Sequence, residues 1–186
     1  MIIFKENDRI YFAASMYHYG SIPIQPDYEC EENSPAWHID DGKGTIAATT
    51  AGFVRASDIL RYSDILNIEK LDLETLFKVS EKIPAELQTN CIIEEGQLGV
   101  GVCIARDDVA YEISKFGAIK KLGDVEVFNA NRGVSMMIWE NVSHIKDIEE
   151  RMRAFFKILN RENNYNSNFP IMLINTKEKG YKLIYE

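Results

Sequence analysis

The stretch Met1-Ile2-Ile3-Phe4-Lys5-Glu6-Asn7-Asp8-Arg9-Ile10-Tyr11-Phe12-Ala13-Ala14-Ser15 opens the chain. It contains two short apolar and aromatic runs, Ile2 to Phe4 and Arg9 to Ala14, split by the polar turn Glu6-Asn7-Asp8. Asn and Asp are turn formers because their side chains bond the local backbone and tolerate left-handed geometry. The stretch therefore predicts a β-hairpin at the very start of the fold.

Working outward, Thr45 to Thr50 is a β-branched and alanine run that predicts a strand ending near Gly52. Phe53, Ala56, Ile59, Leu60, Ser63 and Leu66 then recur at helical spacing. Asp72 is placed to cap a second helix, with Leu73, Leu76, Phe77, Ser80 and Ile83 as its inner face and Pro84 as its stop. Leu98 to Ala105 and Val109 to Ile113 flank Arg106-Asp107-Asp108 as a second hairpin. Val125 to Asn129 and Val134 to Trp139 read as further strands around Asn131-Arg132-Gly133. Ser143 to Leu159 reads as one helix, capped by Ser143, with Ile145, Ile148, Met152, Phe155 and Leu159 as its apolar stripe. Asn160 to Asn168 is a polar loop, and Ile171 to Ile174 with Tyr181 to Tyr185 form a closing hairpin. Strands and helices in segregated runs predict an α+β domain with helices outside largely antiparallel sheets.

The chain has 186 residues and a mass of 21.3 kDa, which predicts a single domain, residues 1–186. Between Tyr17 and Gly44, three prolines and an acidic knot break any period, so 17–44 is expected to be a long irregular excursion. The net charge of −8 lacks the positive field that nucleic acid or an anionic membrane requires, so neither is expected as a partner. No apolar run reaches the roughly 18 residues of a membrane helix. The polar, acidic start of the chain does not fit a signal peptide. The three cysteines, Cys30, Cys91 and Cys103, form no CxxC pair. Reduced thiols and a cytoplasmic location are the expectation.

Several residues are candidates for chemistry. Gly96, Gly99 and Gly101 have the wrong spacing for a dinucleotide fingerprint and lack a phosphate-loop lysine, so no nucleotide cofactor is expected. His18, Cys30 and His38 share the excursion with Glu29, Asp40 and Asp41, yet their spacing fits no metal signature, and no metal is expected. Cys103 reads as a small core residue. A cysteine nucleophile would need a base beside it, and no histidine can be placed there from sequence.

At the level of families, the chain resembles the proteasome-type N-terminal-nucleophile (Ntn) hydrolases: proteasome β subunits and the peptidase subunit of the related bacterial ATP-dependent protease. The resemblance rests on two stretches. Asn7 to Ser15 resembles a first hairpin that ends in two alanines and an aspartate. Gly44-Thr45-Ile46-Ala47-Ala48-Thr49-Thr50-Ala51-Gly52, running into Phe53 to Leu60, is similar to the family's G-T-x-A-G strand end and the helix after it. The order of later elements agrees.

The resemblance implies a four-layer αββα sandwich of two antiparallel sheets with helices outside. It also implies oligomeric assembly, because the family assembles through helices and loops. Its catalytic residues do not carry over. Those enzymes expose an N-terminal threonine whose amine is the base for its own hydroxyl, about sixteen residues before the aspartate. Counted back from Ser15, that nucleophile falls before Met1, and the mature chain is expected to lack it. Ser15 occupies the aspartate position. The family's lysine should fall near Ala36, Trp37 or His38, none of which is lysine. Only Gly52 matches, where the backbone N–H would join an oxyanion hole, although strand-to-helix geometry explains that glycine equally well.

The expectation is therefore a proteasome-like protein without the threonine-protease nucleophile, and a structural, regulatory or ligand-binding role as a homo-oligomer. Ser15 and Gly52 would be remnant positions. Two alternatives stay open: an amide-bond hydrolase using Cys30, Cys91 or Ser15 as nucleophile, and a small-ligand or metal-binding module using 17–44.

Overall fold

Ile2–Glu6 (β1) and Arg9–Ser15 (β2) form the expected hairpin, with Ile2 opposite Ala13 and Glu6 opposite Arg9. Both turn residues, Asn7 and Asp8, have positive φ, at 51° and 56°. A two-residue turn of this hand matches the twist of the flanking strands, and Asn and Asp tolerate it best after glycine. The structure, a computed structural model, describes residues 1–15, 36–39, 42–49, 70–82, 102–113, 118–128, 131–163 and 170–185.

Among these, ten strands form two antiparallel sheets of five. Ala36–Ile39 (β3), Thr45–Thr49 (β4), Val102–Arg106 (β5), Val109–Ile113 (β6) and Ile119–Lys121 (β7) lie side by side in that order as sheet B. Val125–Val127 (β8), Ile171–Asn175 (β9) and Tyr181–Ile184 (β10) join the first hairpin in sheet A, ordered β10-β9-β2-β1-β8. Three helices are described: Leu73–Lys82 (α1), Arg132–Val142 (α2) and Ile148–Glu162 (α3).

The period of two along each strand sorts the side chains into layers. On β1 and β2, Ile3, Ile10 and Phe12 face Ile46, Ala48, Cys103 and Ala105 of sheet B and form the core between the sheets. Their neighbours Ile2, Phe4, Tyr11 and Ala13 face outward and pack under α2 and α3 against Trp139, Met152 and Phe155. Phe4 anchors that layer, with ring centroids 5.0 Å from both Tyr11 and Trp139. On the far side, Ala47, Val102, Ile104 and Ile113 of sheet B pack against Leu76 and Val79 of α1. Helices thus cover the outer faces of two stacked sheets. No helix among the described residues is long and apolar enough to cross a membrane.

Four local expectations are corrected. Val134 to Trp139 is not a strand but the body of α2. Its buried residues Ser135, Ile138, Trp139 and Val142 repeat at three and four, and Asn131 caps the helix by accepting from the Val134 N–H at 3.3 Å. The helix expected from Ser143 begins instead at Ile148. Ser143 closes α2, its N–H donating to the Trp139 carbonyl at 2.8 Å, while Asp147 caps α3 by accepting from the Glu150 N–H at 2.9 Å. Asp72 does cap α1, but the buried face is Leu76 and Val79, and Leu73 and Phe77 are exposed. The excursion 17–44 is not irregular throughout, because Ala36–Ile39 pairs with β4, Ala36 opposite Ala48. The helix read over 53–66 and the rest of that excursion up to residue 35 lie outside the described residues.

The two sheets are tied at the end where the hairpin turns meet. Thr176, buried just past β9, donates its hydroxyl to the Asp107 carbonyl of the β5–β6 turn at 2.5 Å and accepts from the Ile10 N–H at 3.1 Å. Its own N–H returns to the Ile10 carbonyl at 3.1 Å.

Candidate functional site

Ser15 belongs to the other end of the sandwich, where β1 begins and β2 ends. Ser15 is half-buried at the last position of β2, opposite Ile171. Its hydroxyl makes no hydrogen bond among the described residues, so no base is in contact with it there. β3 is an edge strand of the other sheet, with His38 half-buried opposite Ile46. Strand alternation puts His38 on the inter-sheet side with Ala36. Gly52, Cys30, Cys91 and His18 lie outside the described residues.

The Met1 amine donates to the Phe128 carbonyl at 3.1 Å, and the Phe128 N–H donates to the Met1 carbonyl at 2.9 Å. Burial lowers the pKa of this amine to about 6, so at neutral pH it is mostly uncharged. Small side chains, Ala36, Ala48 and Cys103, pack between the sheets. Cys103 is a free thiol with no exposed surface, and burial pushes its pKa well above the ordinary range, with Glu112 and Glu126 adding to the rise. The thiolate is the reactive form of cysteine, so Cys103 is a packing residue.

Sequence reasoning missed the main polar cluster of this layer. Glu126, buried on the edge strand β8, accepts from Lys120 Nζ at 2.8 Å and from Arg132 Nη2 at 2.5 Å. It thereby joins β7 of one sheet to β8 of the other and to the first residue of α2. Glu112 is opposite both Cys103 and Lys120 in the register of sheet B. The signal was present in Val125-Glu126-Val127: when both valines face the helix layer, the glutamate between them must point between the sheets.

Burial raises the pKa of Glu112, and the charge of Glu126 adds to it while Lys120 and Arg132 oppose it. A carboxyl raised in the folded state binds more protons there than in the unfolded chain over the window above its ordinary value. Stability therefore falls as pH rises through that window. Glu112→Gln is expected to raise the melting temperature at neutral pH, with the gain shrinking as pH falls through the acidic range. Thermal melts across pH check this, and a gain independent of pH would contradict it.

Comparison with solved structures identifies the fold. The chain is similar to Thiobacillus denitrificans BPH, both free and in complex with epoxomicin, at a TM-score of 0.63 and 13% identity in each case. The likeness covers 94% of this chain and 96% of the complexed or 95% of the free structure. At that identity the likeness establishes the fold alone. No family model matches the chain, and no curated protein matches it.

Proposed function

We propose that this chain is an Ntn-hydrolase-like αββα sandwich that does not perform threonine-protease chemistry and acts as a homo-oligomer in a structural, regulatory or ligand-binding role. The observation that carries the reading is β2 ending in Ser15, where the resemblance calls for an aspartate, together with a β3 of Ala36-Trp37-His38-Ile39 that holds no lysine. An N-terminal threonine needs its amine tuned by such charged neighbours before it can serve as its own base. A serine hydroxyl with no partner cannot replace that charge. The structural neighbour bound to epoxomicin supports the fold half of this reading, and the substituted positions argue against the same chemistry here.

The oligomeric half rests on Tyr17, Tyr19, Ile22, Ile24 and Tyr28, too many aromatic and branched residues for a solvated loop, together with Trp37 of the edge strand β3. Such residues are enriched at interface cores. With a net charge of −8 resisting non-specific clustering, association requires a specific surface. Native mass spectrometry at micromolar concentration tests this. A defined oligomer that dissociates in Trp37→Ala or Tyr28→Ala is the expected result. A monomer whose mass is unchanged by either substitution would refute the oligomeric role.

A further inference from the structure

At the end opposite Ser15, a cavity of about 430 Å³ opens between the helix-side face of sheet A and the start of α3. That is within the size range of small-molecule sites. Tyr11 and Leu173 contribute to its floor, Ile148 and Lys146 come from the α2–α3 connection and the first turn of α3, and Tyr181 and Lys182 come from β10. An apolar base with polar groups around it is the usual composition of a binding pocket.

The hydrogen-bonding balance of this cavity is one-sided. Its carboxylates are already committed. Asp147 caps α3, Glu149 is paired with Lys182 and Arg153, and Glu178 accepts from Arg9 at 2.7 Å and from Asn175 at 3.2 Å. The remaining capacity belongs to donors. Tyr11 is 7% exposed, and its hydroxyl makes no hydrogen bond among the described residues. The exposed Lys146 ammonium has no partner among the described residues. Both donors are available to a ligand oxygen in the cavity.

We propose that this cavity is a binding site for a small organic carboxylate. Its apolar body would lie on Leu173 and Ile148, and its carboxylate would accept from the Tyr11 hydroxyl and the Lys146 ammonium. The site is separate from the Ser15 end and stands whether or not the proposed function holds. Benzoate, a planar carboxylate with an apolar body, is the probe. Benzamide serves as its neutral isostere and inorganic phosphate as the anion without an apolar body. Titration of the full chain, followed by amide NMR shifts, is expected to give saturable benzoate binding centred on Tyr11, Lys146 and Leu173. Benzamide and phosphate should bind about tenfold more weakly or not at all, and Tyr11→Phe and the exposed Lys146→Met should each weaken benzoate several-fold, as expected for lost donors. Absence of saturable binding would overturn the proposal. So would equal binding of either control, or benzoate affinity unchanged in both variants.

Discussion

Replacing Gly44 with alanine is expected to destabilise the fold by about 3 kcal/mol, while Gly42→Ala in the same turn costs only about 1 kcal/mol. Both glycines have positive φ, at +72° and +68°, so alanine pays a similar conformational penalty at each. They differ in what a methyl group would meet. At Gly42 it enters open space, whereas at Gly44 it would fall 2.1 Å from the Thr176 carbonyl oxygen. That oxygen cannot move aside cheaply. Thr176 is held by its N–H to the Ile10 carbonyl, by the Ile10 N–H to its hydroxyl, and by its hydroxyl to the Asp107 carbonyl. Relief of the overlap must loosen at least two of these bonds, each worth about 1 kcal/mol net. Urea denaturation of the two variants makes the comparison. Equal midpoints would mean that the close approach of the two sheets at this end contributes nothing.

Arg151→Ala is expected to cost about 3 kcal/mol, near the lower end of the range for breaking a buried ion pair. The Arg151 side chain is 7% exposed and uses its guanidinium to join three elements. Nε donates to the Ile145 carbonyl at 2.7 Å, Nη1 and Nη2 both reach the Glu6 carboxylate, and the cation lies 5.7 Å from the centre of the Trp139 ring. Removing it strands Glu6 and the Ile145 carbonyl together. The Glu6 side chain, 26% exposed, recovers some water, which keeps the loss from being larger. For a chain of 186 residues this corresponds to a fall in melting temperature of roughly 6–12 °C. Arg151→Met, which restores the apolar volume, should recover part of it. A melting temperature within a degree or two of the parent in Arg151→Ala would show that the connection between α2 and α3 is fixed by the apolar layer alone.

What could be read from the sequence follows from where the information is local. The first and last hairpins and the Asp107-Asp108 turn were legible because alternation and turn chemistry act over a few residues. Asp72 as a cap was legible for the same reason. The α2–α3 pair was misread because Val134, Met136 and Ile138 alternate as a strand would, and because Ser143 and Asp147 are both acceptable caps. The choice between them is made by Arg151, whose bonds to Ile145 and Glu6 depend on a strand 145 residues away. β7 was missed since Ile119-Lys120-Lys121 has no apolar pattern of its own and is held by pairing with β6. That Ser15 closes the first hairpin was legible from sequence, but its lack of a partner among the described residues was not. The Glu112–Lys120–Glu126–Arg132 cluster and the cavity over Tyr11 went unseen for a common reason: each joins residues from elements that only the tertiary fold brings together.

Peptide hydrolysis tests most directly the proposal that this sandwich does not carry out threonine-protease chemistry. The purified chain would be incubated with a panel of fluorogenic peptides, with and without a threonine-directed epoxyketone, and its intact mass recorded afterwards. The expected result is no turnover above the buffer rate and an unchanged mass. Turnover that the epoxyketone abolishes, accompanied by a mass increase of one inhibitor per chain, would contradict it.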